Sequence, residues 1–242
     1  MNSVKNSVRS FARNTAKDTA GHFPGIIALI AVVMASSAAV PALASAQLGR
    51  QQGLLEPNIA ADSMLLKLPY LTAPIVQAIK DARPILSIVT LDSLLGSKAI
   101  TKPQRDSLYR RMFIHVDLNR GTDAEFLLIP GAGARMLVEF KEYRPWTSFE
   151  QFQREIGKYF RSNPAEVTRL EQYVFIAIDL NTASDSLMAT FAGIGVGTPR
   201  WIREFKEYRP WTSAEQFQRE ISKYVRSNPK EVSRLWRYAV IK

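Results

Sequence analysis

Two glycines followed by an arginine form the pattern in this chain best suited to binding a ligand. Pro130 is followed by Gly131, Ala132 and Gly133, and Arg135 comes two residues later. Glycine permits a sharp turn and a close approach of the backbone to a ligand. The amides exposed there lie at the start of the next helix, where the helix dipole favours an anion. The pattern therefore predicts a phosphate-binding turn with Arg135 at its edge.

Catalytic and metal chemistry have little support in the sequence. Histidine occurs only at His22 and His115, and there is no cysteine. A protein metal site needs several such ligands close together. The serines and carboxylates form no recognisable nucleophile motif. We therefore expect a protein that is not an enzyme and that uses no cofactor, no metal and no small-molecule substrate.

The glycine turn belongs to a longer repeat. Residues 140–176 return at 205–241 with 28 of 37 positions identical. The preceding Asp-Leu-Asn at 117–119 also returns, at 179–181. A self-match of this length indicates the duplication of one supersecondary unit.

Three segments follow from the repeat and its more distant landmarks. We call residues 56–116, 117–178 and 179–242 the first, second and third segments, and the first is strongly diverged. Units this short are near the lower limit for folding alone, so we expect neighbouring segments to pack together. Residues 47–55 show no clear periodicity and are predicted to be a flexible lead-in.

Helical periodicity runs through the segments. In the second segment, Thr122 and Glu125 form a capping box, and apolar residues recur at helical spacing on both sides of the glycine turn. Either Thr147 or Ser148 is expected to cap a third helix, and Pro164 to begin a fourth. We found no alternating strand pattern. The sequence therefore predicts an all-α fold, a tandem array of three units in which a tight hairpin joins two helices.

Aromatic residues are predicted to be structural. Phe149 and Phe152 fall at the spacing of a buried helix face. Trp146 and Trp211 each follow Arg-Pro at a corner between helices, where a large ring would fill the end of the segment. Stacking of these rings on nucleic-acid bases is therefore not expected.

The order of these motifs resembles the helix-hairpin-helix module of ComEA-type competence proteins, which are exported DNA receptors of bacterial transformation. The resemblance rests on Asp-Leu-Asn at 117–119, Ile-Pro-Gly-Ala-Gly at 129–133, and Glu-Tyr-Arg ending at Arg144, eleven residues after Gly133. It implies tandem helix-hairpin-helix units that bind double-stranded DNA without sequence preference, and a part in DNA uptake.

The resemblance also implies a set of DNA-backbone-binding residues in two hairpins. They are Gly131, Ala132, Gly133 and Arg135 in the second segment, and Gly193, Gly195, Arg200 and Arg203 in the third. The first hairpin, residues 68–72, has no glycine and is expected to keep the fold without the anion site. In the third segment the interval from Gly195 to Arg209 is fourteen residues, three more than in the second.

The N-terminus predicts export. Residues 1–24 are basic, residues 25–40 are almost wholly apolar, and Ala44 and Ala46 offer cleavage sites, as in a secretory signal peptide covering residues 1–46. The alternative is an uncleaved membrane anchor, although the apolar run is short for a span. Without residues 1–46 the net charge is +7. We expect a periplasmic or extracellular protein, cleaved or anchored.

A second function stays open. The first and third hairpins depart from the glycine pattern, and Glu204 and Glu207 lie among the basic residues of the third segment. The second segment, which has the intact hairpin, carries a net charge of −1. These features favour a structural or protein-interaction helical repeat of the cell envelope, with a protein partner and without DNA binding.

Overall fold

The computed structural model describes residues 53–225, 228 and 230–242. The predicted signal peptide and residues 47–52 of the predicted lead-in lie outside the described residues. The described part is mostly helical, with twelve α-helices, one 3-10 helix and four two-residue strands. This confirms the helical class that the sequence predicts. No helix among the described residues has both the length and the apolar character needed to cross a membrane.

Each segment contains four α-helices. The helices of the first segment are α1 Asp62–Leu65, α2 Ala73–Asp81, α3 Ile88–Ser97 and α4 Lys102–Leu108. Those of the second are α5 Asp123–Leu127, α6 Gly133–Glu142, α7 Phe149–Gly157 and α8 Pro164–Glu171. Those of the third are α9 Asp185–Ala189, α10 Pro199–Glu207, α11 Ala214–Ser222 and α12 Lys230–Trp236, with the 3-10 helix Thr190–Ile194 between α9 and α10.

The starts of the second segment's helices follow from local sequence. The Thr122 hydroxyl accepts a hydrogen bond from the Glu125 amide at 3.3 Å, and the Glu125 carboxylate accepts one from the Thr122 amide at 3.0 Å. This capping box begins α5. Ser148, rather than Thr147, caps α7 by accepting from the Gln151 amide. Pro164 occupies the first position of α8 as predicted, where its missing N–H costs nothing.

Short parallel strands correct the expectation that each segment is helical throughout. Strand β1, Val116–Asp117, pairs with β2, Val174–Phe175, and β3, Ile178–Asp179, pairs with β4, Ala239–Val240. Each pair joins the start of a segment to its end. A two-residue strand is too short to leave an alternating pattern in the sequence, so periodicity could not reveal it.

In the first segment, too, the start of the segment is joined to its end. Leu55 forms an isolated parallel bridge with Met112, and Leu54 is buried. The end of the predicted flexible lead-in is therefore part of the fold.

An asparagine near the start of each segment holds the corner before its third helix. The side-chain amide of Asn119 donates to the carbonyl of Trp146 at 2.9 Å and accepts from the Trp146 amide at 2.7 Å. Asn181 makes the same pair of bonds with Trp211, and Asn58 makes it with Ile85. The three asparagines therefore have a structural role.

An arginine makes a second clamp in each segment. Arg144 donates from Nε to the carbonyl of Leu118 at 2.7 Å and from Nη2 to the carbonyl of Gly121 at 2.8 Å. Arg209 bonds in the same way to Leu180 and Ala183, and Arg83 to Pro57 and Ala60. The bond between each of these arginines and the following proline is cis. The Asp-Leu-Asn and Glu-Tyr-Arg motifs are thus bound to each other.

Two clusters of buried apolar side chains form the core. One runs from Leu54 to Ile176 through the first and second segments, and the other runs from Phe175 to Ala239. Trp146 and Trp211 are almost fully buried, and their indole N–H groups donate to the carbonyls of Phe140 and Phe205. This confirms their predicted place at the corners. A chain that begins at residue 47 retains every member of both clusters.

A group of buried and half-buried polar side chains joins the third segment to the first. Glu56 lies 3.2 Å from His115 Nδ1, and both side chains are buried. Arg237 donates to the carbonyl of His115 at 3.1 Å. Burial and the nearby Glu56 carboxylate raise the pKa of Tyr238, so its hydroxyl stays protonated. Burial lowers the pKa of Arg234, but its bond to Glu231 at 2.9 Å and, more weakly, the Glu56 charge raise it above its ordinary value.

Candidate nucleic-acid interface

The second hairpin has an open helix start. Its turn between α5 and α6 is anchored by the buried Ile129 and Pro130, while Gly131 and Gly133 adopt positive φ angles of 79° and 63°. Ala132 occupies the N-cap position of α6, and no side chain caps this ten-residue helix. The first amides of a helix lack partners within the helix. Those of α6 are therefore available to an anion.

The space around Gly133 also leaves this helix start accessible. A Cβ atom built on Gly133 would have no atom within 4 Å, so the turn is open to solvent on that side. The positive φ disfavours any other residue there because an L side chain would be strained. Gly133 thus combines a special backbone conformation with open space, and a phosphate needs both to approach closely.

Arg135 is exposed and held in place by an aromatic ring. Its guanidinium carbon lies 5.2 Å from the centre of the Tyr159 ring, a cation–π contact. The Tyr159 hydroxyl lies 3.2 Å from that of Tyr143. Bonds to Glu139 and Tyr143 raise the pKa of Tyr159, so the ring remains neutral under Arg135. The predicted basic residue is therefore positioned beside the open helix start.

Arg169 is a basic residue at this turn that the sequence analysis missed. A Cβ atom on Gly131 would lie only 2.9 Å from Arg169 Nη2 and 3.8 Å from Glu166 Oε1. Arg169 donates to both carboxylate oxygens of Glu166, at 2.7 and 2.6 Å, and this pairing raises its pKa. The turn is therefore flanked by a paired cation and anion from α8. The two positions are 38 residues apart, so no local signal connects them.

The third hairpin differs from the second. Gly193 lies in the 3-10 helix, and Gly195, with φ of 87°, is separated from Pro199, the first residue of α10, by the three extra residues. Thr198 caps α10, and its hydroxyl accepts from the Trp201 amide at 3.5 Å. The predicted glycines of the third segment therefore do not lie at an open helix start.

Other residues occupy the third hairpin. Arg234 donates to the carbonyl of Ile194 at 2.6 Å, and a Cβ on Gly195 would lie 3.1 Å from the Ile59 side chain of the first segment. The arginine of α12 that corresponds to Arg169 is thus bonded to the hairpin backbone itself. This hairpin contributes to packing between segments.

Basic side chains on α10 are exposed, but most are close to carboxylates. Arg200 and Arg203 are exposed, and Arg203 lies 3.4 Å from Glu204. Lys206 pairs with Asp185 at 2.8 Å. Arg200 corresponds in the repeat to Arg135. Of the predicted residues, Gly131, Ala132, Gly133 and Arg135 lie together at the start of α6, with the Ala132 side chain buried, whereas the glycines of the third segment do not lie at the start of a helix.

The first hairpin keeps the turn without glycine. Tyr70 stands at the position of Gly131 and has a positive φ of 66°. This conformation costs a non-glycine residue about 1 to 2 kcal/mol. Thr72, at the position of Gly133, has an extended conformation. The first segment therefore has no glycine turn at residues 68–72 at which an anion could bind.

No family model, curated protein or solved structure matches this chain in the comparisons made with known proteins.

Proposed function

We propose that this chain is an exported protein of the ComEA type that binds double-stranded DNA without sequence preference. Its phosphate contact is the start of α6, where Gly131, Gly133 and Arg135 meet. The uncapped first turn of α6 is the observation that carries the proposal. Amides at such a turn bind the sugar-phosphate backbone and cannot distinguish bases.

Three tandem helix-hairpin-helix units are part of the proposal. The recurring asparagine and arginine clamps support this interpretation, because unrelated segments would not share both. Only the second unit presents the anion site. We therefore expect weak binding, with Kd of roughly 10⁻⁴ to 10⁻⁶ M at physiological salt, as for other non-specific contacts. Export by the signal peptide would place the protein in the cell envelope, in DNA uptake.

A second candidate function is a structural or protein-interaction module of the envelope. It is favoured by the third hairpin, where Ile59 lies against Gly195 and Arg234 bonds the Ile194 carbonyl. Such a hairpin holds segments together and is not free to bind DNA. The second hairpin would then be the one contact with DNA. Only the first function requires that the start of α6 contact DNA.

Ala134→Asp tests the proposed contact with little risk to folding. Ala134 is exposed in the first turn of α6, where an acidic residue is favourable to the helix dipole. The new carboxylate would repel a phosphate at the same amides. We expect affinity for a duplex of mixed sequence, measured by fluorescence anisotropy at low salt, to fall by about tenfold or more, with no loss of thermal stability.

Ala214→Asp is the matched control. Ala214 is exposed and begins α11 in the third segment, so the substitution makes the same change in net charge at another helix start. We expect it to weaken DNA binding by no more than about threefold, through diffuse charge alone. Equal losses in the two variants would contradict the phosphate contact at α6 and favour the envelope module.

A further inference from the structure

Exposed apolar side chains are concentrated in the first segment. Among the described residues, seven large apolar side chains are exposed, and five of these belong to the first segment. Three of the five, Met64, Leu66 and Tyr70, lie within seven residues that run from α1 into the turn at 68–72, each 45 to 47% exposed, and α1 is counted with the first hairpin from here on. Scattered exposed apolar residues are ordinary, but three on one short hairpin indicate an interaction surface.

Tyr70 is exposed in a conformation that suits glycine. The corresponding position of the second hairpin is Gly131, and both residues have positive φ. Nothing in the packing requires a ring at Tyr70, because nearly half of the side chain is in solvent. Backbone strain at an exposed aromatic residue is the kind of outlier from which a functional contact can be inferred.

Two cations lie beside Met64, one of these apolar side chains. Met64, Lys67, Leu68 and Arg111 line one cleft of about 470 Å³, which also reaches Leu55. Lys67 and Arg111 are both exposed, and neither forms an ion pair within the described part of the chain. The net charge of residues 47–116 is +4. The hairpin therefore combines unpaired positive charge with exposed apolar groups.

We propose that the first hairpin binds the surface of a membrane that contains anionic lipids. Leu66 and Met64 enter the boundary between headgroups and acyl chains, and Tyr70 lies at headgroup level, where its ring and hydroxyl suit both environments. Lys67 and Arg111 contact the lipid phosphates. Apolar groups at the tip with cations beside them fit a lipid surface better than a DNA backbone, which offers no apolar partner.

Vesicle binding of residues 47–242 tests the proposal, since this chain keeps both buried clusters and omits the apolar N-terminal run. The probes are vesicles of phosphatidylglycerol and phosphatidylethanolamine in equal parts, and vesicles of phosphatidylcholine alone. We expect co-sedimentation with the anionic vesicles to be at least about tenfold stronger. Absence of binding to the anionic vesicles, or equal binding to both, would overturn the proposal.

Tyr70→Gly separates the contact from stability. Glycine removes the strain at positive φ, so the variant should melt at or above the temperature of the unmodified chain. We expect its partition into anionic vesicles to fall roughly tenfold, and that of Lys67→Gln about fivefold. Val138→Ser, at an apolar residue 58% exposed in the second segment, should bind vesicles unchanged.

The outcomes of the variants are decisive. If Tyr70→Gly binds vesicles as well as the unmodified chain does, or if Val138→Ser loses as much as Tyr70→Gly, the first hairpin is not the contact. A surface made for a protein partner would show the former result. The proposal does not depend on DNA binding, because none of these residues belongs to the second hairpin.

Discussion

Replacing Arg144 with methionine is expected to lower the free energy of unfolding by about 3 to 5 kcal/mol, because two charge-assisted hydrogen bonds are lost together. The guanidinium bonds the carbonyls of Leu118 and Gly121, and both residues are buried. Methionine fills similar space but leaves both carbonyls without their donor. Chemical denaturation of residues 47–242 would measure the loss.

Two further variants test whether the two hydrogen bonds cause this loss of stability. Arg144→Lys should give an intermediate loss, since one ammonium cannot reach both carbonyls in the geometry of the guanidinium fork. Lys141→Met removes an exposed ion pair with Asp123 and should cost less than about 1 kcal/mol. A stability of Arg144→Met within 1 kcal/mol of the unmodified chain would contradict the structural role of the clamp.

Replacing Glu56 with alanine is the second large effect that we expect, again about 3 to 5 kcal/mol, because the buried and half-buried groups that contact its carboxylate lose that contact together. Glu56 contacts His115 at 3.2 Å and accepts from the Asn58 side chain at 2.8 Å, so its loss affects both the charge cluster and the clamp at Ile85. The free energy of unfolding in denaturant is again the measurement.

Matched variants separate charge from packing at this position. Glu56→Gln keeps an acceptor oxygen for the Asn58 side chain and loses the charge, so it should fall between the unmodified chain and Glu56→Ala. Asp62→Ala removes an exposed ion pair with Lys80 in the same segment and should cost no more than about 1 kcal/mol. If the two alanine variants were equally mild, the buried cluster would not hold the segments together.

Local structure could be predicted from the sequence where one short motif determines it. The capping box at Thr122 and Glu125, the start of α8 at Pro164 and the buried corners at Trp146 and Trp211 all depend on neighbours a few residues away. Their side chains act on the nearest backbone amides or fill the nearest corner. The sequence therefore specifies them without knowledge of the fold.

Contacts between distant residues could not be predicted in this way. Strand β1 finds its partner 58 residues later, and each strand has only two residues. The place of Ile59 beside Gly195 depends on how the first segment packs against the third. Such contacts arise from the packing of whole segments and leave no periodic or local trace.

Two of the three motifs that carry the family resemblance, Asp-Leu-Asn at 117–119 and Glu-Tyr-Arg ending at Arg144, are bound to each other. Asn119 holds Trp146, and Arg144 holds Leu118 and Gly121, so these residues account for the fold of the hairpin unit. They do not contribute to the anion site that we propose at the start of α6. A chain can therefore keep both of these motifs without a turn that could bind DNA.

The salt dependence of duplex binding tests the central claim most directly. For a single hairpin contacting two to four phosphates, the logarithm of the association constant of residues 47–242 should fall with the logarithm of salt concentration with a slope of about −2 to −4. Arg135→Ala should reduce the magnitude of that slope by about 1. A slope unchanged in Arg135→Ala, or no binding at low salt, would contradict recognition of the DNA backbone through the second hairpin.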